Sequence, residues 1–268
     1  MAQGSTAARP ADAVGLLHSL HRDVSALTFP LEIPGVAEHR EIRERVLTQV
    51  SSQLLPRVAD GETPAVVVLG GPTGAGKSTL LNSLVGQDVS PSGVLRPTTR
   101  RAVAAHHPSV HSVPLRDLAD SVASPEVPPG IVLVDAPDLD SLERSNRAQA
   151  TRLLEAADLW ILVTTAARYG DMIPWSQVIR ARDRGLQLAV VLNRVPAAAR
   201  KKVRADLLGR LDRIGLGNAP MFLIPDLGPH EGLLPEEQVE PLREWLRAAT
   251  GRHQARGIIR RTAAGAWG

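Results

Sequence analysis

From residue 65 onward, short unbroken apolar runs alternate with longer stretches in which apolar positions recur every three or four residues. "AVVVL" at 65–69 is such a run, short enough for a strand and without a polar face, so it reads as a strand buried on both sides. Similar runs predict strands near 101–106, 131–135, 159–164, 187–192 and 220–224. Helical spacing falls near 76–86, 145–157, 172–184, 197–214 and 235–249. Apolar strands alternating with amphipathic helices predict an α/β fold, a mostly parallel sheet with helices on both faces.

The flanks carry only the helical period. In 11–27, Val14, Leu17, Leu20 or His21, Val24 and Leu27 lie on one side, and "TFPLEIPG" then breaks the helix with two prolines. A second helix is predicted over 36–59, with Ile42, Val46, Val50, Leu54 and Val58 every four residues. In the tail, Leu242, Trp245, Ala249, Ile259 and Ala266 share one side, and Arg243, Arg247, Arg252, Arg256 and Arg260 form a basic stripe. That stripe has two readings: a helix packed on the two N-terminal ones with its arginines in water, or a helix for a membrane surface or partner. The predicted organisation is an N-terminal helical segment over 1–61, an α/β domain over 62–230 and a C-terminal helical segment over 231–268. The last reads as the start of a longer bundle, because the chain stops at Trp267-Gly268 without a clear cap.

Composition narrows the classes. Of 268 residues 43% are hydrophobic, enough for a sizeable core, and no run approaches the roughly 20 apolar residues that cross a bilayer. With no cysteine there is neither disulfide nor thiol chemistry, and the polar start "MAQGSTAARPADA" lacks a signal pattern, so a cytoplasmic location is expected. The net charge is +3, with 28 acids among 31 basic residues, of which only Lys77, Lys201 and Lys202 are lysines. Interleaved charge of this kind does not favour nucleic acid as a partner.

One loop carries recognisable chemistry. "GGPTGAGKST" follows the first strand and opens a helix, so Gly71-x4-Gly76-Lys77-Ser78 is a complete phosphate-loop pattern in its proper context. Across Gly71, Thr73, Gly74, Ala75, Gly76, Lys77, Ser78 and Thr79 the backbone can curl until its N–H groups face phosphate oxygens, and the helix adds the positive end of its dipole. Lys77 is placed to bridge the β- and γ-phosphates, and Ser78 to ligate Mg²⁺. "IVLVDAPD" ends an apolar strand in Asp135, the expected second carboxylate for Mg²⁺, acting through water. Between the two motifs, "VLRPTTRRAV" offers Thr99, with Thr98 as alternate, to close over Mg²⁺ and the γ-phosphate. Arg96, Arg100 and Arg101 flank it, either as charge-neutralising groups or as solvated loop residues.

In this order, "GKSTLLNSLVG", "LRPTTR", "LVDAPD" and "VVLNRVP" resemble the Era-like and dynamin-like branch of the GTPases. The resemblance covers about residues 65–225 by motif, and 10–60 by layout alone. It implies a GTPase G domain using GTP/GDP and Mg²⁺, with flanking helices forming a partial bundle. It also implies nucleotide-dependent homodimerisation and peripheral membrane contact. Lys77 and Thr99 carry over as catalytic residues; Ser78, Thr99 and Asp135 as the metal set; Asn193 and Arg194 as the remnant of the base site.

Four departures matter. Gly74 stands where dynamins place Ser and Era relatives often Asn; Asp138 where a γ-phosphate-sensing Gly is expected; Leu139 where Ras-like proteins orient water with Gln. Pro196 replaces the Asp that accepts two hydrogen bonds from guanine. Asn193 can still tie its loop to the phosphate loop, Arg194 can still stack on a purine, and Asp226 in "LIPDLG" is a substitute carboxylate or a turn residue. Beside a Mg²⁺-dependent GTPase switch, two alternatives therefore stand: an ATPase of another phosphate-loop class, and a nucleotide-binding scaffold with negligible turnover. His106, His107 and His111 read as a solvated strand end, Trp160 as core, and Arg168 and Asp171 as loop residues at the ligand edge of the sheet.

Overall fold

The computed structural model describes residues 10–51, 55, 64–91, 101–111, 113–228 and 232–249. The chain divides into two compact units, 1–63 and 64–268. In the smaller, α1 (Pro10–Ala26) is followed by α2 (Val36–Gln49). Arginines on α2 hold the turn between them: Arg40 donates to the Phe29 carbonyl at 2.8 Å, and Arg43 to the carbonyls of Val24 and Ser25. Val50 is fully buried, whereas Leu27 and Ile42, which the periodicity assigned to the packed face, are exposed.

The larger unit is built on seven strands: β1 (Ala65–Gly70), β2 (Ala102–His106), β3 (Ala119–Ala123), β4 (Ile131–Asp135), β5 (Leu159–Thr165), β6 (Gln187–Val195) and β7 (Met221–Pro225). They lie in the order β3-β2-β4-β1-β5-β6-β7. The helices are α3 (Lys77–Val85), α4 (Arg144–Glu155), α5 (Met172–Asp183), α6 (Arg200–Arg213) and α7 (Glu236–Ala249). Strand side chains alternate between two buried layers, because successive residues point to opposite faces of a pleated sheet. Val66 and Val68 join Leu153, Leu154, Val178, Leu207 and Leu211 of α4–α6. Val67 and Leu69 join Leu80, Leu81 and Leu84 of α3 and Val239, Leu242 and Leu246 of α7. Each fully buried aliphatic side chain contributes about 1.5–3 kcal/mol relative to exposure.

Three features differ from the sequence expectation. β2 runs antiparallel to β4, so with its parallel partner β3 it reverses the edge of an otherwise parallel sheet. Strand direction leaves no mark on a run such as Ala102–His106, which is apolar either way. β3, "ADSVA", escapes the hydrophobic pattern because it is an edge strand with exposed Asp120 and Ser121, and a polar edge resists pairing with other chains. Finally, α7 does not hold all its arginines in water. Its apolar side joins the core against α3 and β7, and Arg243 is buried, donating to the Ser83 carbonyl at 3.1 Å and to Glu240 at 2.5 Å.

Candidate nucleotide site

The carboxyl ends of the central strands meet at one edge of the sheet, where ligands of open α/β sheets bind. Register places Leu69 beside Asp135 and Thr165 beside Asn193. The loop leaving β1 passes so close to β5 that a Cβ on Gly71 would lie 2.0 Å from the Val163 carbonyl oxygen. At Gly76, the N-cap of α3, φ is +92° and no side chain caps the helix. Its first-turn N–H groups are thus offered to a ligand.

Lys77 is buried and spends its three ammonium protons at hand. Its Nζ donates to the carbonyls of Gly71 and Pro72, each at 3.2 Å, and to Asp138 Oδ1 at 2.5 Å. Ser78 Oγ donates to Asp135 Oδ2 at 2.6 Å, and Ser90 Oγ to the same oxygen at 2.6 Å. Asp135 Oδ1 is buried without a hydrogen-bond partner. Burial pushes the Asp135 carboxyl above its ordinary range, against the pull of Lys77 and the two hydroxyls. A buried carboxylate oxygen with no donor, beside a serine hydroxyl at the start of a phosphate-loop helix, fits a hydrated Mg²⁺ in both charge and ligand type.

Ser90 has its place because of Asn82, which is 1% exposed. The Asn82 Oδ1 accepts the N–H groups of Val89 (3.1 Å) and Ser90 (2.8 Å), and its Nδ2 donates to Asp88 and to the Ser90 carbonyl. The asparagine of "GKSTLLN" therefore folds the loop after α3 back onto the metal-side carboxylate. Sequence reading passed over both residues, though an Asn embedded among core leucines is the kind of signal that marks a buried network.

A second network grips the outer side of the phosphate loop. Asp140 Oδ1 accepts the Thr73 N–H (2.7 Å) and hydroxyl (2.6 Å), and Asp140 Oδ2 accepts Arg168 Nη2 at 2.6 Å. Arg168 also donates to the Thr73 carbonyl at 2.8 Å and to Asp171 at 2.8 Å. Burial works against the charged form of Asp140, but the bonds from Thr73 and Arg168 prevail and hold its carboxyl below the usual carboxylate range. Arg168 thus reaches the loop itself, with Asp171 bonded to Arg168 behind it, whereas Asp140 was not singled out from the sequence.

On the opposite flank, Asn193 Nδ2 donates to the Ala75 carbonyl at 2.9 Å, and Arg194 Nη1 lies 3.4 Å from the Gly74 carbonyl. A Cβ on Gly76 would sit 2.4 Å from Asn193 Nδ2. Arg194 takes φ +51°, and the β6–β7 register shifts between Leu192 and Val195, a bulge that re-aims these side chains. Asp226 donates its N–H to the Val195 carbonyl at 3.1 Å, which sets it beside Pro196, and its carboxylate accepts the Gly228 N–H.

Thr79 is half-buried in the first turn of α3 and its carbonyl accepts the Ser83 hydroxyl at 2.6 Å. Leu139 is buried and its N–H reaches the Gly71 carbonyl at 3.3 Å. Thr99, with Thr98, Arg96 and Arg100, lies outside the described residues. Arg101 pairs with Asp120 across the sheet edge at 3.3 Å, both exposed. His106 and His107 bond to neighbouring loop atoms, and no cluster of three or more metal-ligating side chains occurs among the described residues. Trp160 is core, its indole N–H directed at the Gly70 carbonyl, 3.3 Å away.

A mostly parallel sheet, a glycine loop opening a helix and a serine–aspartate pair beneath it define a phosphate-loop nucleotide-binding domain. Comparison with known proteins makes the class more particular. The model of the dynamin family matches residues 66–122. The tRNA modification GTPase MnmE of Zymomonas mobilis subsp. mobilis is 31% identical over 128 residues, 47% of this chain and 24% of that protein. Among solved structures, an oligomerised bacterial dynamin pair is 12% identical with a TM-score of 0.53, over 98% of this chain and 47% of that one. Era of Aquifex aeolicus bound to GDP and AlF4⁻ is 20% identical with a TM-score of 0.42, over 65% of this chain and 60% of that one. The fold is that of a P-loop G domain, and over part of its length the chain resembles P-loop GTPases; it spans about a quarter of the MnmE protein and about half of the bacterial dynamin chain it matches.

Proposed function

We propose that the protein binds GTP with Mg²⁺ and hydrolyses it slowly, as a nucleotide switch. The observation that carries this reading is the pairing of Lys77, buried at the phosphate-loop helix, with the Ser78–Asp135 pair whose Asp135 Oδ1 has no partner. Ser78 would hold Mg²⁺ directly and Asp135 through water, with Thr99 completing the set; the ion would supply charge neutralisation for the phosphates. Lys77 and the first-turn N–H groups of α3 stabilise charge on the transferred phosphoryl group. Water is the nucleophile, and the Leu139 side chain has no polar group to orient it, which is why turnover is expected to be slow without a partner.

GTP rather than ATP is proposed on the family matches. Asp226, whose N–H bonds the Val195 carbonyl next to Pro196, is the proposed substitute acceptor for the guanine edge. The bacterial dynamin pair senses and tethers membranes. Nucleotide-dependent dimerisation, peripheral membrane contact and a cytoplasmic location are proposed for this chain on that likeness. Among the described residues no helix is long and apolar enough to cross a membrane.

The test is titration of GDP, GTP, ADP and ATP with Mg²⁺, followed by phosphate release with and without liposomes. Guanine preference and Mg²⁺-dependent release are expected, both lost in Lys77→Ala. Adenine preference, or unchanged affinity in Lys77→Ala, overturns the proposal.

A further inference from the structure

An ammonium group has three protons, and Lys77 uses two on backbone carbonyls of its own loop and the third on the Asp138 carboxylate. The two carbonyls belong to the loop that curls around the phosphates. Asp138 belongs to the segment after β4, and its side chain is 34% exposed against 5% for Lys77. A γ-phosphate oxygen that needs Lys77 must take the proton now given to Asp138, since the other two are held by the loop itself. Two carboxylates, Asp135 and Asp138, stand around this lysine, and Asp135 feels the charge of both Lys77 and Asp138. Mg²⁺ would answer the first; among the described residues, the cation paired with the second is Lys77.

Resting on the reading of this loop as a GTP site, we propose that Asp138 is its specificity-determining residue between di- and triphosphate: its carboxylate occupies the γ-phosphate's seat on Lys77. A diphosphate leaves that seat to Asp138, and is held by the N–H groups of the loop and helix while Asp138 keeps the lysine. A triphosphate must displace Asp138, and the displaced carboxylate then stands against the like charge of the γ-phosphate. Backbone bonds hold the segment on either side: the Ala136 N–H donates to the Leu69 carbonyl, and the Leu139 N–H to that of Gly71. Displacement is therefore a swing of the Asp138 side chain about a fixed strand end, or a lifting of the whole segment when the Leu139 bond also breaks. In the second case Asp138 ties the occupant of the phosphate site to the position of the chain that leads to Asp140.

The full chain is titrated with fluorescent GDP and with a non-hydrolysable GTP analogue, both with Mg²⁺, as wild type, Asp138→Asn, Asp138→Gly and Asp138→Glu. Wild type is expected to favour the diphosphate. Asn and Gly should each shift the triphosphate-to-diphosphate affinity ratio toward triphosphate by about tenfold or more, the scale of one charge-assisted hydrogen bond. Glu, which keeps the charge, should stay near wild type. A ratio unmoved within about twofold in both Asn and Gly, or an equal gain for both nucleotides, overturns the role of Asp138 while leaving nucleotide binding intact. Failure of wild type to bind either nucleotide, with a normal circular dichroism melt, overturns the GTP-site reading and this inference with it.

Discussion

Asn82→Ala is the most informative single substitution outside the phosphate loop. The amide is 1% exposed and joins four hydrogen bonds, two accepted by Oδ1 and two donated by Nδ2. Alanine leaves the N–H and C=O of Ser90, itself 1% exposed, without these partners. A buried polar group left unsatisfied costs about 1–3 kcal/mol, so two of them set a destabilisation of roughly 3 kcal/mol or more. For a unit of this size that corresponds to a fall in Tm of about 6–12 °C. The substitution also frees Ser90, and with it one of the two hydroxyls on Asp135 Oδ2. Mg²⁺-dependent nucleotide affinity should then fall in Asn82→Ala and in Ser90→Ala alike, and the double variant should lose little more than Asn82→Ala, because Ser90 acts through the position that Asn82 gives it. Thermal unfolding and nucleotide titration at fixed and varied Mg²⁺ measure both effects. A Tm within about 2 °C of wild type, or strictly additive losses of affinity, would falsify this account of the loop.

Two further outcomes follow from the site. Asp140 has a folded-state carboxyl held below its ordinary range, so its contribution to stability is present above about pH 4 and fades as pH falls through that depressed value. The stability gap between wild type and Asp140→Asn in urea should shrink below about pH 4, and a gap independent of pH would count against the Thr73–Asp140–Arg168 clamp. Asp226→Ala should lower the preference for GTP over ATP by about tenfold or more, as expected on losing a hydrogen bond to a charged acceptor. An unchanged base preference in competition titration would show that Asp226 only caps its turn at Gly228.

The layering of the larger unit was legible because it depends on side-chain period alone. β1, β4, β5, β6 and β7 announce themselves as apolar runs, and the helices between them as amphipathic stretches. What one element's pattern does not record is its relation to another. β2 faces β4 with reversed direction at no cost to a run of alanine and valine, and β3 is too polar to be seen as a strand at all. The site divides in the same way. Lys77, Ser78 and Asp135 stand at motif spacing along the chain and were readable from it. Asp140 and Arg168 are 28 residues apart and meet only because β4 and β5 both end beside β1. Arg243 belongs to this class too: within its own helix it is one member of a solvated stripe, and only the packing of α7 against α3 turns it inward to the Ser83 carbonyl.

The end of β6 and the turn after it, 190–196, show why a motif can lose two letters and keep its place in the fold. In the GTPase pattern it resembles, the asparagine and the aspartate stand three positions apart, but here their mechanical duties separate cleanly. Asn193 holds the Ala75 carbonyl and stands where a Cβ on Gly76 would need to be, and Arg194 reaches toward Gly74, so both brace the phosphate loop. The Asp of that pattern, in whose place Pro196 stands, is the residue that reads guanine. The brace is required whichever purine is bound, since the phosphates are common to all of them. Base choice can therefore pass to another strand without loosening the phosphate grip, provided that strand ends beside Val195. β7 does, through the Asp226 N–H on the Val195 carbonyl. If Asp226 reads the base as proposed, affinity for the phosphates and selectivity for the base are separable, the first resting on Lys77 and the second on the residues around Pro196.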